Sequence, residues 1–198
     1  MTTEVDAGAI LIQKKFPISD DDTAFSLAAR AATFGVQSFV ELIAALENGL
    51  LKEAPPRPAE NFHLRSERPG FAVFDCGRPA ADFVRLVRAF DFGREENWTT
   101  RAKLRLSDGT YLCVGSAVEA RAIGSPIPGT VLQLSSAGLE ISALNSSVLL
   151  SDFTTLHGQP VSSEALAAFG VNVGAVLDGQ TPETIRHLKS FDRETTKS

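Results

Sequence analysis

From Phe25 the apolar side chains Phe25, Ala29, Ala32, Val36, Phe39, Ile43, Leu46 and Leu50 recur at alternating steps of four and three. That rhythm keeps one stripe on one side of an α-helix and predicts a long helix over about residues 22–48. Its start is marked by Ser19-Asp20-Asp21-Asp22-Thr23, side chains that cap free amides and place negative charge at the positive end of the helix dipole. Gly49 marks its end. Ahead of it, Ala9–Gln13 reads as a short buried strand and Phe16-Pro17-Ile18 as an extended exit. One strand and one helix cannot cover an apolar stripe of this length. Residues 1–50 therefore read as the tail of a larger α/β domain.

The pattern then changes twice. From Lys52 to Pro69 the chain is polar and rich in proline, the composition of a linker or extended crossing segment. Beyond it, Pro79 opens a second helix whose buried face is Phe83, Val84, Val87 and Phe90. Short apolar runs follow at Lys103–Leu106, Thr110–Val114, Val118–Ile123, Thr130–Leu134, Leu139–Leu144 and Val148–Leu150. Ser107-Asp108-Gly109 between the first two is a hairpin signal. Short strands at this spacing behind one helix predict a small β-barrel. The expected organisation is residues 1–60 as a domain tail plus linker, 61–160 as the barrel, and 161–198 as a linker or tail with a weak helical stretch near Ser163–Phe169.

Composition narrows the picture. The chain has 198 residues, 43% of them hydrophobic, and a net charge of −5, so its size and apolar content suffice for a core and its acidity argues against nucleic acid. No uninterrupted apolar run is of membrane-spanning length, and TTEVD has neither the basic nor the apolar part of a secretory signal. A membrane partner is therefore not expected. Cys76 and Cys113 lack metal or redox spacing and read as buried thiols of a cytoplasmic protein. His63, His157 and His187 lie in unrelated segments, so no metal is expected.

The opening residues TEVDAGAILIQ pose the sharpest question, because Asp6 sits at the lip of an apolar run. It forms a turn with Gly8, or it belongs to a catalytic site. TEVDAGAILIQ resembles the motif that closes the catalytic domain of 10-formyltetrahydrofolate-dependent formyltransferases, such as the glycinamide ribonucleotide, methionyl-tRNA and sugar-amine enzymes. RLVRAF and SPIPGTVLQLSSAGLEISALNSSVLL resemble the small C-terminal barrel of methionyl-tRNA formyltransferase, and the two stretches occur in the family's order. The resemblance covers roughly Thr2 to Pro160. It implies an α/β segment of a Rossmann-like domain, strand plus long helix, followed by an OB-like barrel.

By the same resemblance, Asp6 is the third member of an Asn–His–Asp catalytic set. It would orient the histidine and hold a water while a primary amine attacks the formyl carbon of 10-formyltetrahydrofolate. Thr3, Glu4 and Val5 would place backbone groups against the pterin; read alone, they are a frayed chain start. The family's Asn-x-His segment lies upstream of Asp6, so the resemblance implies a C-terminal part of a formyltransferase, inactive alone. DFGREENWTTRAKL departs from the methionyl-tRNA enzymes and looks like formyltransferase domains fused into nonribosomal peptide synthetases, as does the ending FDRETTKS. That implies an aminoacyl or amino-sugar acceptor and an adjacent synthetase module or carrier protein as partner. The rival expectation is a non-catalytic docking module. Arg85, Arg88, Arg101, Lys103 and Arg105 read as a cluster on one side of the barrel, and in the tRNA-specific relatives that barrel binds nucleic acid. Glu95, Glu96 and the net acidity argue against this role here. Trp98 reads as a rim residue.

Overall fold

The computed structural model describes residues 8–56, 69–93, 101–120 and 127–186. The chain divides into two compact units, Met1–Glu67 and Arg68–Ser198.

The first unit is built on helix α1, Ala24–Glu47. Thr23 and Ser26 cap it reciprocally: the Ser26 amide donates to Thr23 Oγ1 at 3.2 Å and the Thr23 amide to Ser26 Oγ at 3.0 Å. At the other end Gly49 takes a left-handed backbone (φ 64°), and the Leu50 amide turns back to the Ala45 carbonyl at 2.9 Å. This ending is the Schellman type, which glycine adopts without a Cβ penalty. An extended segment lies along one face of α1. Phe16 stacks on Phe34 with centroids 5.3 Å apart, and Lys14 pairs with Glu41 at 2.6 Å. The predicted strand at Ala9–Gln13 is instead a single antiparallel bridge between Ile10 and Ala54. A strand needs a ladder, and among the described residues this segment has no second bridge.

The stripe that defines α1 is bare. No α1 residue is buried, and Val36 is 71% exposed. By length and by its mean hydropathy of 1.2, α1 could cross a bilayer. Arg30 and Glu41, however, lie on the covered face in ion pairs, so the helix is two-sided rather than apolar all round.

The second unit has a core. Helix α2, Ala80–Ala89, buries Ala80, Phe83 and Val87. The strands are β1 (Lys103–Arg105), β2 (Tyr111–Ala120), β3 (Val131–Ser135), β4 (Gly138–Ser142), β5 (Ser147–Thr154) and β6 (Pro160–Val161). They form one antiparallel sheet in the order β1-β2-β5-β4-β3, with β6 on β5. Its inner face, with Leu104, Leu112, Leu139, Ile141, Val148, Leu150 and Phe153, is covered partly by α2, where Phe74 stacks on Phe83 at 4.7 Å. Residues beyond 160 also contribute: Leu166, at the 3-10 turn Glu164–Phe169, and Val171 and Leu177 are buried in the same core.

The expected barrel is not formed. β1 and β3 are the two ends of an open sheet, and no ladder joins them. Irregular backbone takes the place of a closing strand. Along β1, the Phe74 amide donates to the Lys103 carbonyl at 2.9 Å. Along β3, the Val131 amide donates to Ala175 and the Gly174 amide to Val131, both at 2.8 Å. The two capping segments touch, since a Cβ on Gly179 would come within 3.1 Å of the Cys76 amide nitrogen. Three-residue β1 is too short to carry the staggered ladder that closure demands, so the edges are capped without a barrel.

One further local departure matters for β2, which merges two runs read as separate strands. Gly115 lies opposite Asp152, whose φ is 56°. A Cβ at 115 would meet Asp152 Cβ at 2.9 Å. Glycine here admits an irregularity in β5 rather than ending β2.

Candidate functional site

Asp6, Thr3, Glu4 and Val5, the residues assigned to catalysis and pterin contact, lie outside the described residues, as do His63, His187, Glu95, Glu96 and Trp98. What the structure gives is the support that follows them. Gly8 is exposed with open space around it. Ile10 is tied to Ala54 by amide–carbonyl bonds of 2.7 and 3.0 Å, which fixes the start of the extended segment against the return from α1.

A polar knot then fixes the helix start. Asp22 takes both guanidinium nitrogens of Arg30 at 2.9 and 2.7 Å, the Ser19 amide at 2.7 Å and the Ser26 hydroxyl at 2.8 Å. The Arg30 bond, with those of Ser19 and Ser26, holds the Asp22 carboxyl well below its usual range, and Asp22 in turn raises Arg30. Arg30 also donates to the Pro17 carbonyl at 2.8 Å and lies 5.6 Å over the Phe16 ring. The knot's charges answer one another, so it is a structural clamp rather than a free acid or base. Sequence reading found Asp22 as a cap and missed Arg30, which the fold brings to it across two helical turns.

In the second unit the basic residues are mostly answered locally. Asp82 pairs with Arg78 at 2.7 Å and with Arg85 at 2.8 Å, and Arg105 pairs with Asp178. Lys103 Nζ donates to the carbonyls of Phe71 and Arg101 at 3.2 and 3.1 Å. Such pairing leaves little of a continuous basic strip on the described surface. A pocket of about 120 Å³ lies between the end of α2 and β2, lined by Val87, Phe90–Gly93, Arg101, Val114 and Gly115. Ligand sites for molecules of drug size are several hundred Å³. This one takes a small ion or a few waters and is not assigned to folate.

Cys76 and Cys113 are free and buried. Burial first, then the nearby carboxylates of Asp75 and Asp178, pushes the Cys76 thiol up to about 12, so it is not a nucleophile. His157 is exposed in the turn between β5 and β6. Ser147 donates to Glu140 at 2.6 Å and Ser146 to Glu119 at 3.1 Å, each pairing a hydroxyl with a carboxylate rather than with a histidine. Among the described residues no cluster of histidine, cysteine and carboxylate is placed to hold a metal.

Against known proteins, the chain has a formyltransferase-family fold. It is 33% identical over 143 residues to methionyl-tRNA formyltransferase of Paraburkholderia xenovorans, covering 71% of this chain and 42% of that protein. Against the Paraburkholderia phytofirmans protein of the same name it is 31% identical over 188 residues, covering 93% and 54%. The chain thus spans about half the length of the curated relatives it matches. Among solved structures, HypX from Aquifex aeolicus superposes with a TM-score of 0.63 at 20% identity, over 87% of this chain and 30% of HypX. WlaRD, a sugar 3N-formyl transferase crystallised with dTDP and 5-N-formyl-THF, superposes with a TM-score of 0.53 at 18% identity, over 76% and 52%. HypX has also been solved with tetrahydrofolic acid. No protein-family profile matches the chain.

Proposed function

We propose that this chain is the C-terminal part of a formyl-transfer site, with 10-formyltetrahydrofolate as donor and a primary amine as acceptor. The observation that carries the reading is the 31% identity to a methionyl-tRNA formyltransferase over 188 aligned positions, which cover 93% of this chain. In the reaction the amine nitrogen bonds to the formyl carbon, the bond from that carbon to the folate nitrogen breaks, and the proton lost by the amine ends on the folate nitrogen. Asp6 is the residue of this chain that would act there: its carboxylate accepts a histidine N–H, steadies the imidazolium and holds a water. Thr3, Glu4 and Val5 would present backbone groups to the pterin. By the family resemblance, the histidine and asparagine that complete the set belong to an Asn-x-His segment upstream of this motif. An aminoacyl or amino-sugar acceptor fits the named relatives, and a carrier-bound aminoacyl group delivered by an adjacent synthetase module is the finer form of the same proposal.

The test is Asp6→Asn in an enzyme completed with the remaining portion of a relative. Losing one member of a catalytic set costs about two to four powers of ten in turnover. Turnover within about threefold of the parent, with normal folding, would make Asp6 a turn residue, since asparagine serves a turn as well.

A further inference from the structure

We propose that Asn48-Gly49, at the C-terminal cap of α1, is a self-modifying site whose deamidation releases the end of the helix. It is the one Asn-Gly pair in the sequence, since every other asparagine precedes a residue with a side chain. In the reaction the Gly49 amide nitrogen attacks Asn48 Cγ. A nitrogen–carbon bond forms, the Cγ–Nδ2 bond breaks, and Nδ2 leaves as ammonia with the proton of the Gly49 amide. Water then opens the succinimide at one carbonyl or the other, giving aspartate or isoaspartate. Glycine suits the attack because it has no Cβ to crowd the nitrogen.

The fold exposes this pair and restrains it. Asn48 and Gly49 both face solvent, and a Cβ on Gly49 would meet nothing within 4 Å, so water reaches the site. The cap nevertheless engages both reacting groups. Asn48 Nδ2 donates to the Ala44 carbonyl at 2.7 Å, and the Gly49 amide donates to the Leu46 carbonyl at 3.2 Å. Attack therefore waits for the last turn to fray, a local opening open to any exposed helix end.

The product cannot restore what it replaces. A carboxylate has no hydrogen to give the Ala44 carbonyl, and it places negative charge at the negative end of the helix dipole. The last turn of α1 has no basic residue to answer that charge, and it already holds Glu47. Modification thus favours the frayed end from which it arose. Isoaspartate also lengthens the main chain by a methylene ahead of Ala54, whose amide and carbonyl bond to Ile10 at 3.0 and 2.7 Å. Because ammonia is lost, the change runs one way and marks a chain by its age.

The test is incubation of the 198-residue chain at mildly alkaline pH, with peptide mass spectrometry at each asparagine. Conversion is expected at Asn48, with isoaspartate among the products, while Asn145 and Asn172 stay intact. Gly49→Ala should slow conversion about tenfold or more by crowding the nitrogen, although alanine strains the left-handed cap and loosens the turn. Leu50→Pro deletes the bond from the Leu50 amide to the Ala45 carbonyl and should speed conversion about fivefold, the factor for one hydrogen bond. Survival of Asn48 while a free peptide of residues 45–53 converts would overturn the proposal. So would equal rates in the parent and Gly49→Ala, or an unchanged rate in Leu50→Pro. The consequence is read in Asn48→Asp, whose last-turn α1 amides should exchange with solvent about fivefold faster than the parent's. Exchange equal to the parent's would mean that the modification releases nothing, and the proposal falls. None of these readouts depends on formyl transfer.

Discussion

The two units use similar proportions of apolar residues to opposite ends. In Arg68–Ser198, Leu104, Ile141 and Leu150 have no exposed surface, and each strand's inner face meets α2, a capping segment or another buried side chain. In Met1–Glu67, Val36, Phe39 and Ile43 form as regular a pattern and meet water. Apolar periodicity determines which way side chains point, and it does not determine whether anything is there to receive them. Stability follows the second condition, because burial, not pattern, removes apolar surface from water.

One substitution made at two places exposes this difference most strongly. Ile141 is fully buried and Ile43 is 41% exposed. Ile141→Ala should lower the stability of the second unit by about 2–5 kcal/mol, the range for emptying a packed site. Ile43→Ala in the isolated chain should stay within about 0.5 kcal/mol. Urea titrations read both. Equal costs would mean that α1 is packed in the isolated chain, by self-association or otherwise.

A smaller effect separates the units by pH. The raised thiol of Cys76 keeps its proton in the folded second unit, whereas in the unfolded chain it ionises near its ordinary value of 9.0. Above that value the unfolded state binds fewer protons, so stability falls as pH rises from about 9 towards about 12. Cys76→Ala should flatten this part of the curve. An unchanged slope would show that other groups titrate there. At pH 8 the native thiol should resist alkylation, and rapid labelling without unfolding would contradict its burial.

The first unit answers at the acid end, and more weakly. Asp22 has its folded value lowered from 3.8 by Arg30, Ser19 and Ser26. Its contribution is complete above about 4 and is lost as pH falls through the lowered value. The helix signal of α1 should decline there in the parent and less steeply in Asp22→Asn. A parent and variant with the same acid profile would remove the clamp from the account.

Much of this fold was legible because local rules were obeyed. The Thr23 and Gly49 caps, the α2 face and the Ser107-Asp108-Gly109 turn lie where their side chains dictate. The errors share one cause, which is that sheet closure and strand ends depend on distant partners. Gly115 lies between two runs read as separate strands and is a point of close approach within one. Pro160–Val161 had no pattern of its own and is a strand only because β5 pairs with it. The barrel failed because residues 174–179, a short apolar run flanked by glycines, cap the β3 edge by backbone bonds that composition does not reveal. Of the candidate site, Asp6 was legible only through resemblance. Its motif is four residues long, and Asp6 lies outside the residues that the structure describes.

The central claim, that the second unit has a core of its own while α1 buries none of its residues, is tested most directly by amide hydrogen exchange on the 198-residue chain at a concentration where it is monomeric. The account predicts that β4 and β5 amides exchange only through global unfolding, and that α1 amides exchange orders of magnitude faster through local opening. Protection of α1 equal to that of β4 and β5 would contradict it.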